Sequence, residues 1–142
     1  MTMKIVVGVD GSEPSSRALE WCATYAQTLD DDVVVVHAID LPIAVAPLTT
    51  YIPMQSFSEV DHEAVEELVQ SWCKPLTDKA VPFRIELKHG DAAFAIMEVA
   101  KAEDADLVIT GRRGRGGFAE LLLGGTSYAL THHLNRPLLI IP

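Results

Sequence analysis

The chain has 142 residues, of which 49% are apolar, with a net charge of −9 and two cysteines. That length suits one domain, residues 1–142, with a core of its own. The acidity excludes bulk electrostatic wrapping of nucleic acid, which needs a basic face, and no apolar run approaches the ~20 residues of a membrane span. Cys22 and Cys73 are far apart in the chain and match no metal or redox spacing. The opening Met1-Thr2-Met3-Lys4 leads into too short an apolar stretch for a signal peptide, so a cytoplasmic location is expected.

Lys4 to Val9 is a compact valine-rich run ending in Asp10-Gly11-Ser12. It predicts a buried parallel strand and a turn. Pro14 fits the first turn of the next helix, with Ser12 or Glu13 as its cap. Ala18, Leu19, Cys22, Ala26 and Leu29 keep helical spacing, and Asp30-Asp31-Asp32 reads as a solvated turn that ends the helix. Val33 to Ile39 is a second buried strand. Residues 41–58 contain Pro42, Pro47 and Pro53 and hold no period, which predicts a long irregular loop of the kind that often covers a site.

Glu59 to Lys79 is helical in pattern, with Val60, Ala64, Val65, Leu68 and Trp72 on one face and Glu63, Glu66 and Glu67 opposite. Pro75 is expected to kink or stop it. Phe83 to Leu87 alternates apolar and polar, as an edge strand with one solvated face does. Gly90-Asp91 starts another helix, capped by Asp91, with Ala93, Ile96, Met97 and Ala100 facing the core. Leu107-Val108-Ile109 is a buried strand. A glycine-rich stretch follows, then a helix over Tyr128 to Leu134 that Asn135-Arg136-Pro137 stops. Leu138 to Ile141 is the last strand. Alternation of strands and helices predicts a parallel sheet with right-handed crossovers. Ligands of such sheets bind at the carboxyl ends of strands, at the switch in strand order. Three turns then become candidates together: Val9-Asp10-Gly11, Ala38-Ile39-Asp40 and Thr110 to Gly117.

The third turn carries the strongest signal. Gly111, Gly114, Gly116 and Gly117 fall within seven residues, and Gly124-Gly125-Thr126-Ser127 precedes the helix. Such glycines let a backbone approach a ligand closely, and a helix N-terminus favours an anion. Arg112, Arg113 and Arg115 lie there, in a stretch between Asp106 and Glu120 that has no carboxylate. Together these point to a phosphate cradle and a nucleotide. A glycine loop alone is a weak signal, because most such loops bind nothing. Neither G-x-G-x-x-G nor the Walker pattern occurs, which argues against a P-loop enzyme. His132 and His133 point ~100° apart on a helix and cannot form an i,i+4 metal face. His37 reads as packed at a strand end, and His62 and His89 have no evident partner. No Ser/His/Asp or Cys/His order is present, so no catalytic residue is assigned.

At this point the sequence resembles the universal stress protein family, in its ATP-binding subgroup. The family's phosphate motif is G-x-x-G, nine residues, then G-[ST]; here Gly111-x-x-Gly114 is followed after nine residues by Gly124. The likeness extends to Val9 to Ser12, to His37-Ala38, to Gly90-Asp91, to Gly117-Phe118-Ala119-Glu120-Leu121-Leu122-Leu123-Gly124 and to His132 to Pro137. It covers nearly the whole chain.

The resemblance implies an open, Rossmann-like α/β fold of the adenine nucleotide alpha hydrolase type: a five-stranded parallel sheet of order 3-2-1-4-5 with helices on both faces. It implies ATP, ADP or AMP as ligand. Asp10 would lie near the ribose or a nucleotide-bound cation such as Mg2+, and no other metal is implied. Ala38 would read adenine through its backbone, and Val9 and Thr110 would line base and sugar. Gly111, Gly114 and Gly124 would hold phosphates through N–H groups, with Arg113, Gly125, Thr126 and Ser127 beside them. It further implies a homodimer through Leu138 to Ile141 and a protein partner of unknown identity. Gly125 departs from the family's Ser or Thr, so a hydroxyl for the terminal phosphate is missing there, and Thr126 and Ser127 are the substitutes at hand. The implied function is a nucleotide-dependent regulatory module of the stress response. The alternatives are a slow ATP hydrolase or phosphoryl-transfer enzyme and a nucleotide-independent dimeric interaction protein. Asp10 alone is thin support for turnover, so at most weak ATP hydrolysis is expected.

Overall fold

The computed structural model describes residues 2–39, 61–113 and 123–142. The expected loop over 41–58, the helical start at Glu59 and Val60, and the glycines and arginine at 114–117 lie outside the described residues. The elements are β1 (Lys4–Gly8), α1 (Glu13–Leu29), β2 (Asp32–Ile39), α2 (His62–Trp72), α3 (Lys74–Asp78), β3 (Phe83–His89), α4 (Ala92–Ala102), β4 (Leu107–Gly111), α5 (Gly125–His133) and β5 (Leu138–Ile141). They build one five-stranded sheet of order β3-β2-β1-β4-β5, parallel at every pairing.

Two apolar layers flank the sheet, and strand alternation assigns side chains to them. Ile5, Val7, Val33, Val35 and Ile109 pack under α1, α2 and α3 with Leu19, Cys22, Val69, Cys73 and Leu76. Val6, Val34, Val36 and Val108 point the other way, against Ile96, Val99 and Ala100 of α4 and Leu130 of α5. Strands β1, β2 and β4 are therefore covered on both faces, which is why they read as unbroken apolar runs. Full burial of one such side chain is worth about 1.5–3 kcal/mol.

Helix starts follow their caps. Ser12 Oγ accepts from Ser15 N, Asp61 from Ala64 N and Asp91 from Phe94 N. Three expectations need correction. First, Asp31 is not part of a solvated turn: it is 2% exposed, and its Oδ1 accepts the Met3 N–H at 2.7 Å. Only Asp30 makes the turn, as a left-handed C-cap. Second, the helical pattern through Lys79 is interrupted near Pro75 as expected, but at Cys73, and α3 restarts with Pro75 in its first turn instead of ending there. Third, the buried stripe of α2 runs through Val69 and continues in Cys73 and Leu76, whereas Leu68 is 50% exposed and Ala64 is exposed.

Candidate nucleotide site at the carboxyl edge of the sheet

The chain order reverses at β1, which has β2 on one side and β4 on the other. The carboxyl ends of these strands border the crevice where doubly wound sheets take ligands. The register places Gly8 beside Val36, and Val7 beside Ile109. Val9-Asp10, Ala38 and Thr110-Gly111 therefore emerge at one edge, as the sequence predicts.

At the end of β1, Val9 is fixed on both sides. Its N–H donates to Val36 O at 2.9 Å, and its carbonyl lies 2.8 Å from His37 Nδ1. A carbonyl only accepts, so His37 donates from Nδ1. The His37 ring meets Trp72 of α2 edge-on. Asp10 folds the next turn: its Oδ1 accepts from Ser12 N at 2.9 Å and its own N–H donates to Ser15 Oγ at 3.2 Å. Gly11 takes φ +78°, which glycine accepts without strain.

At the end of β2, the last bond to β1 among the described residues is the one from Val9 N to Val36 O. Backbone groups of a strand alternate between its two neighbours. Ala38 thus directs its N–H and C=O to the same side as Val36, past the end of the ladder. Ile39 faces β3, where its carbonyl accepts Gly90 N at 3.1 Å. Among the described residues, nothing bonds the backbone of the half-buried Ala38 on that side.

At the end of β4, Thr110 is 4% exposed and lies 3.4 Å from Ser127 Oγ. Ser127 donates its hydroxyl to Gly111 O at 2.7 Å, which ties α5 to the strand. This hydroxyl is therefore committed, and Thr126 is left as the hydroxyl beside Gly125. A Cβ on Gly111 would sit 2.7 Å from Pro14 C and 2.9 Å from Ser15 N. The absence of a side chain there is required by the close approach of α1.

Gly124 is the N-cap of α5, and among the described residues no side chain caps this helix. The Gly124 N–H is already engaged, since it donates to Arg112 O at 2.8 Å. Arg112 N in turn donates to Ile141 O at 2.6 Å, so Arg112 links β5 to the start of α5. Its buried Nε has no hydrogen-bond partner among the described residues. The first N–H groups of the helix proper, those of Gly125 and Thr126, have no intrahelical acceptor. Gly125 is exposed, and a Cβ there would meet nothing within 4 Å. The donors offered at this edge are thus one residue further on than the motif glycine. Gly114 lies outside the described residues, and Arg113 is half-buried.

His37 and Ser127 are the site-forming residues that sequence reasoning did not single out for these roles. His37 closes a valine run at a strand end, which is the one local signal. Ser127 is expected as a hydroxyl beside the phosphates, but nothing local shows that it bonds Gly111, 16 residues away.

The whole chain, residues 1–142, matches the family model described as the universal stress protein family. Among curated relatives, universal stress protein Sll1388 of Synechocystis is 30% identical over 97% of this chain and 96% of its own length. A universal stress protein of Mycolicibacterium smegmatis is 27% identical over 96% of the chain, which spans only 47% of that longer relative. Among solved structures, MJ0577 superposes with a TM-score of 0.80 at 22% identity, covering 99% of this chain and 96% of that one. A universal stress protein in complex with cAMP gives 0.70 at 20% identity over 99% and 96% of the two chains. The Archaeoglobus fulgidus universal stress protein in complex with dAMP gives 0.70 at 19% over 99% and 98%. The chain belongs to the universal stress protein family.

Proposed function

We propose that this chain binds an adenine nucleotide across the β1/β4 crevice and works as a nucleotide-dependent regulatory module of the stress response. The observation that carries this reading is the start of α5. It is a helix N-terminus with no side-chain cap among the described residues, opening on a bare, exposed Gly125 at the switch point of the sheet. Ala38 supplies an open backbone edge for the base, and an anion would give the buried Arg112 Nε a partner. The cAMP and dAMP complexes of two relatives of the same fold support the ligand class. ATP, ADP and AMP are the candidates, with Mg2+ carried in on the phosphates beside Asp10. A dimer through the apolar edge strand β5 accompanies this reading, since an unpaired apolar edge needs covering.

Gly125→Asp tests the cradle without loosening the fold. A carboxylate at a helix start stabilises the helix, and the added side chain meets open space. It would repel a phosphate at the same place. Titration calorimetry with ATP, ADP and AMP should show affinity falling about tenfold or more, or by ~1.4 kcal/mol, while the melting temperature of the free protein holds or rises. Unchanged affinity would place the phosphates elsewhere.

A further inference from the structure

His62 is the first residue of α2 and His89 the last of β3. They are 27 residues apart in the chain, yet their Nε2 atoms approach to 3.1 Å. Their ring centres are 4.9 Å apart with the planes inclined at 66°. Both side chains are exposed. The adjoining residues are anchored: Asp61 Oδ1 accepts from Ala64 N at 3.1 Å, and Gly90 N donates to Ile39 O at 3.1 Å.

Two ring nitrogens this close share either a proton or a cation. A straight N–H···N bond over that distance would set the ring centres about 5.4 Å apart, because donor geometry prefers alignment. The observed 4.9 Å is shorter, so at least one ring is tilted off the line joining the nitrogens. Two imidazoles on one zinc ion are tilted off that line as well. With Zn–N bonds of ~2.0–2.1 Å, a tetrahedral angle puts the nitrogens about 3.3 Å and the ring centres about 5.2 Å apart. Closing that angle to about 98° gives nitrogens near 3.1 Å and ring centres near 4.8 Å, with no change in bond length.

We propose that His62 and His89 form a two-histidine site for a zinc-class divalent cation, clipping the start of α2 to the end of β3. Neutral imidazole nitrogens suit Zn2+, Ni2+ or Cu2+ and do not suit Mg2+, which demands oxygen ligands. Among the described residues no third His, Cys, Asp or Glu is placed to complete a site. Water therefore fills two or more positions, against the single open position of three-ligand zinc sites. A chain of net charge −9 favours cation capture generally. The site needs no nucleotide, so its fate is separate from that of the β1/β4 crevice.

The test uses the nucleotide-free full chain near pH 7.5, where histidine is largely neutral. Zn2+ is titrated calorimetrically into wild type, His62→Ala, His89→Ala and His132→Ala, with Mg2+ as the control cation. Wild type and His132→Ala should bind one Zn2+ per chain. Each of the other two variants should lose more than the roughly 10–100-fold that changes outside a ligand set typically cost. In wild type, histidine 15N resonances should shift at Nε2 of residues 62 and 89 together, and Zn2+ should raise the melting temperature. Absence of stoichiometric Zn2+ binding would overturn the site and leave a hydrogen-bonded pair. Binding that survives in either single variant, or 15N shifts on other histidines, would also overturn it.

Discussion

At the residue scale, glycines that share one motif do different work. Gly111 is fixed by packing: a Cβ would press on the backbone of Pro14 and Ser15 at 2.7–2.9 Å, and neither backbone can yield cheaply. Gly111→Ala should therefore destabilise the fold by about 1–3 kcal/mol, the usual cost of overpacking, measurable as a shift in the denaturant midpoint. Gly125 faces open space and tolerates substitution sterically. Sequence spacing showed that these positions form a set, but not which member packs and which faces solvent, because that depends on where α1 comes to rest. The same limit hid Asp31. Three consecutive aspartates look solvated, yet one receives the Met3 N–H from the neighbouring strand entry. It also hid His89, whose partner His62 comes from an element packed on it only in the folded chain.

At the element scale, strands and helices were legible wherever periodicity was unambiguous. The runs at Ile5 to Val7 and Val33 to Val36 have no polar alternative, and their burial on both faces follows. The sequence pattern places Ala64, Val65, Leu68 and Trp72 of α2 on one apolar face; Val65 and Trp72 do pack on the core, whereas Ala64 and Leu68 are exposed and Val69 and Cys73 form a second stripe. Docking against β3 and α3 selected the second. At the amino ends of the strands, opposite the candidate site, Lys4, Asp32, Arg84 and Glu103 form a charged cluster joining β1, β2, β3 and α4. Lys4 Nζ lies 3.3 Å from Glu103 and 3.7 Å from Asp32, and Arg84 pairs with both Glu86 and Glu103. The hydrogen bond from Arg84, helped by Lys4, holds the Glu103 carboxyl below its ordinary value of 4.5, against the opposing effect of burial. A depressed folded-state value means stability that is present above 4.5 and lost as pH falls through the folded value. Glu103→Gln should cost under about 1 kcal/mol at neutral pH, the range for exposed pairs. It should also flatten the acid limb of a stability-versus-pH curve; an unchanged limb would assign the acid sensitivity to other carboxylates.

At the scale of the whole molecule, the sheet has two edges of different character. Strand β3 carries Arg84, Glu86 and Lys88, charges of the kind that discourage edge-to-edge pairing. Strand β5 is Leu-Leu-Ile-Ile, half-buried throughout. Leu139 and Ile141 reach one apolar layer and Leu138 the other, whereas Ile140 belongs to neither. Ile140→Lys should therefore convert the proposed dimer to monomer in light scattering while shifting the melting temperature little, and a dimer that persists would move the interface off β5.

The central claim concerns where an adenine nucleotide lies, and backbone amide NMR during ATP titration addresses it most directly. Saturable shifts at Asp10, Ala38, Gly125 and Thr126, absent or much weaker in Gly125→Asp, are the predicted result. No shift at millimolar ATP, or shifts confined to residues away from the carboxyl edge of β1, β2 and β4, would contradict it.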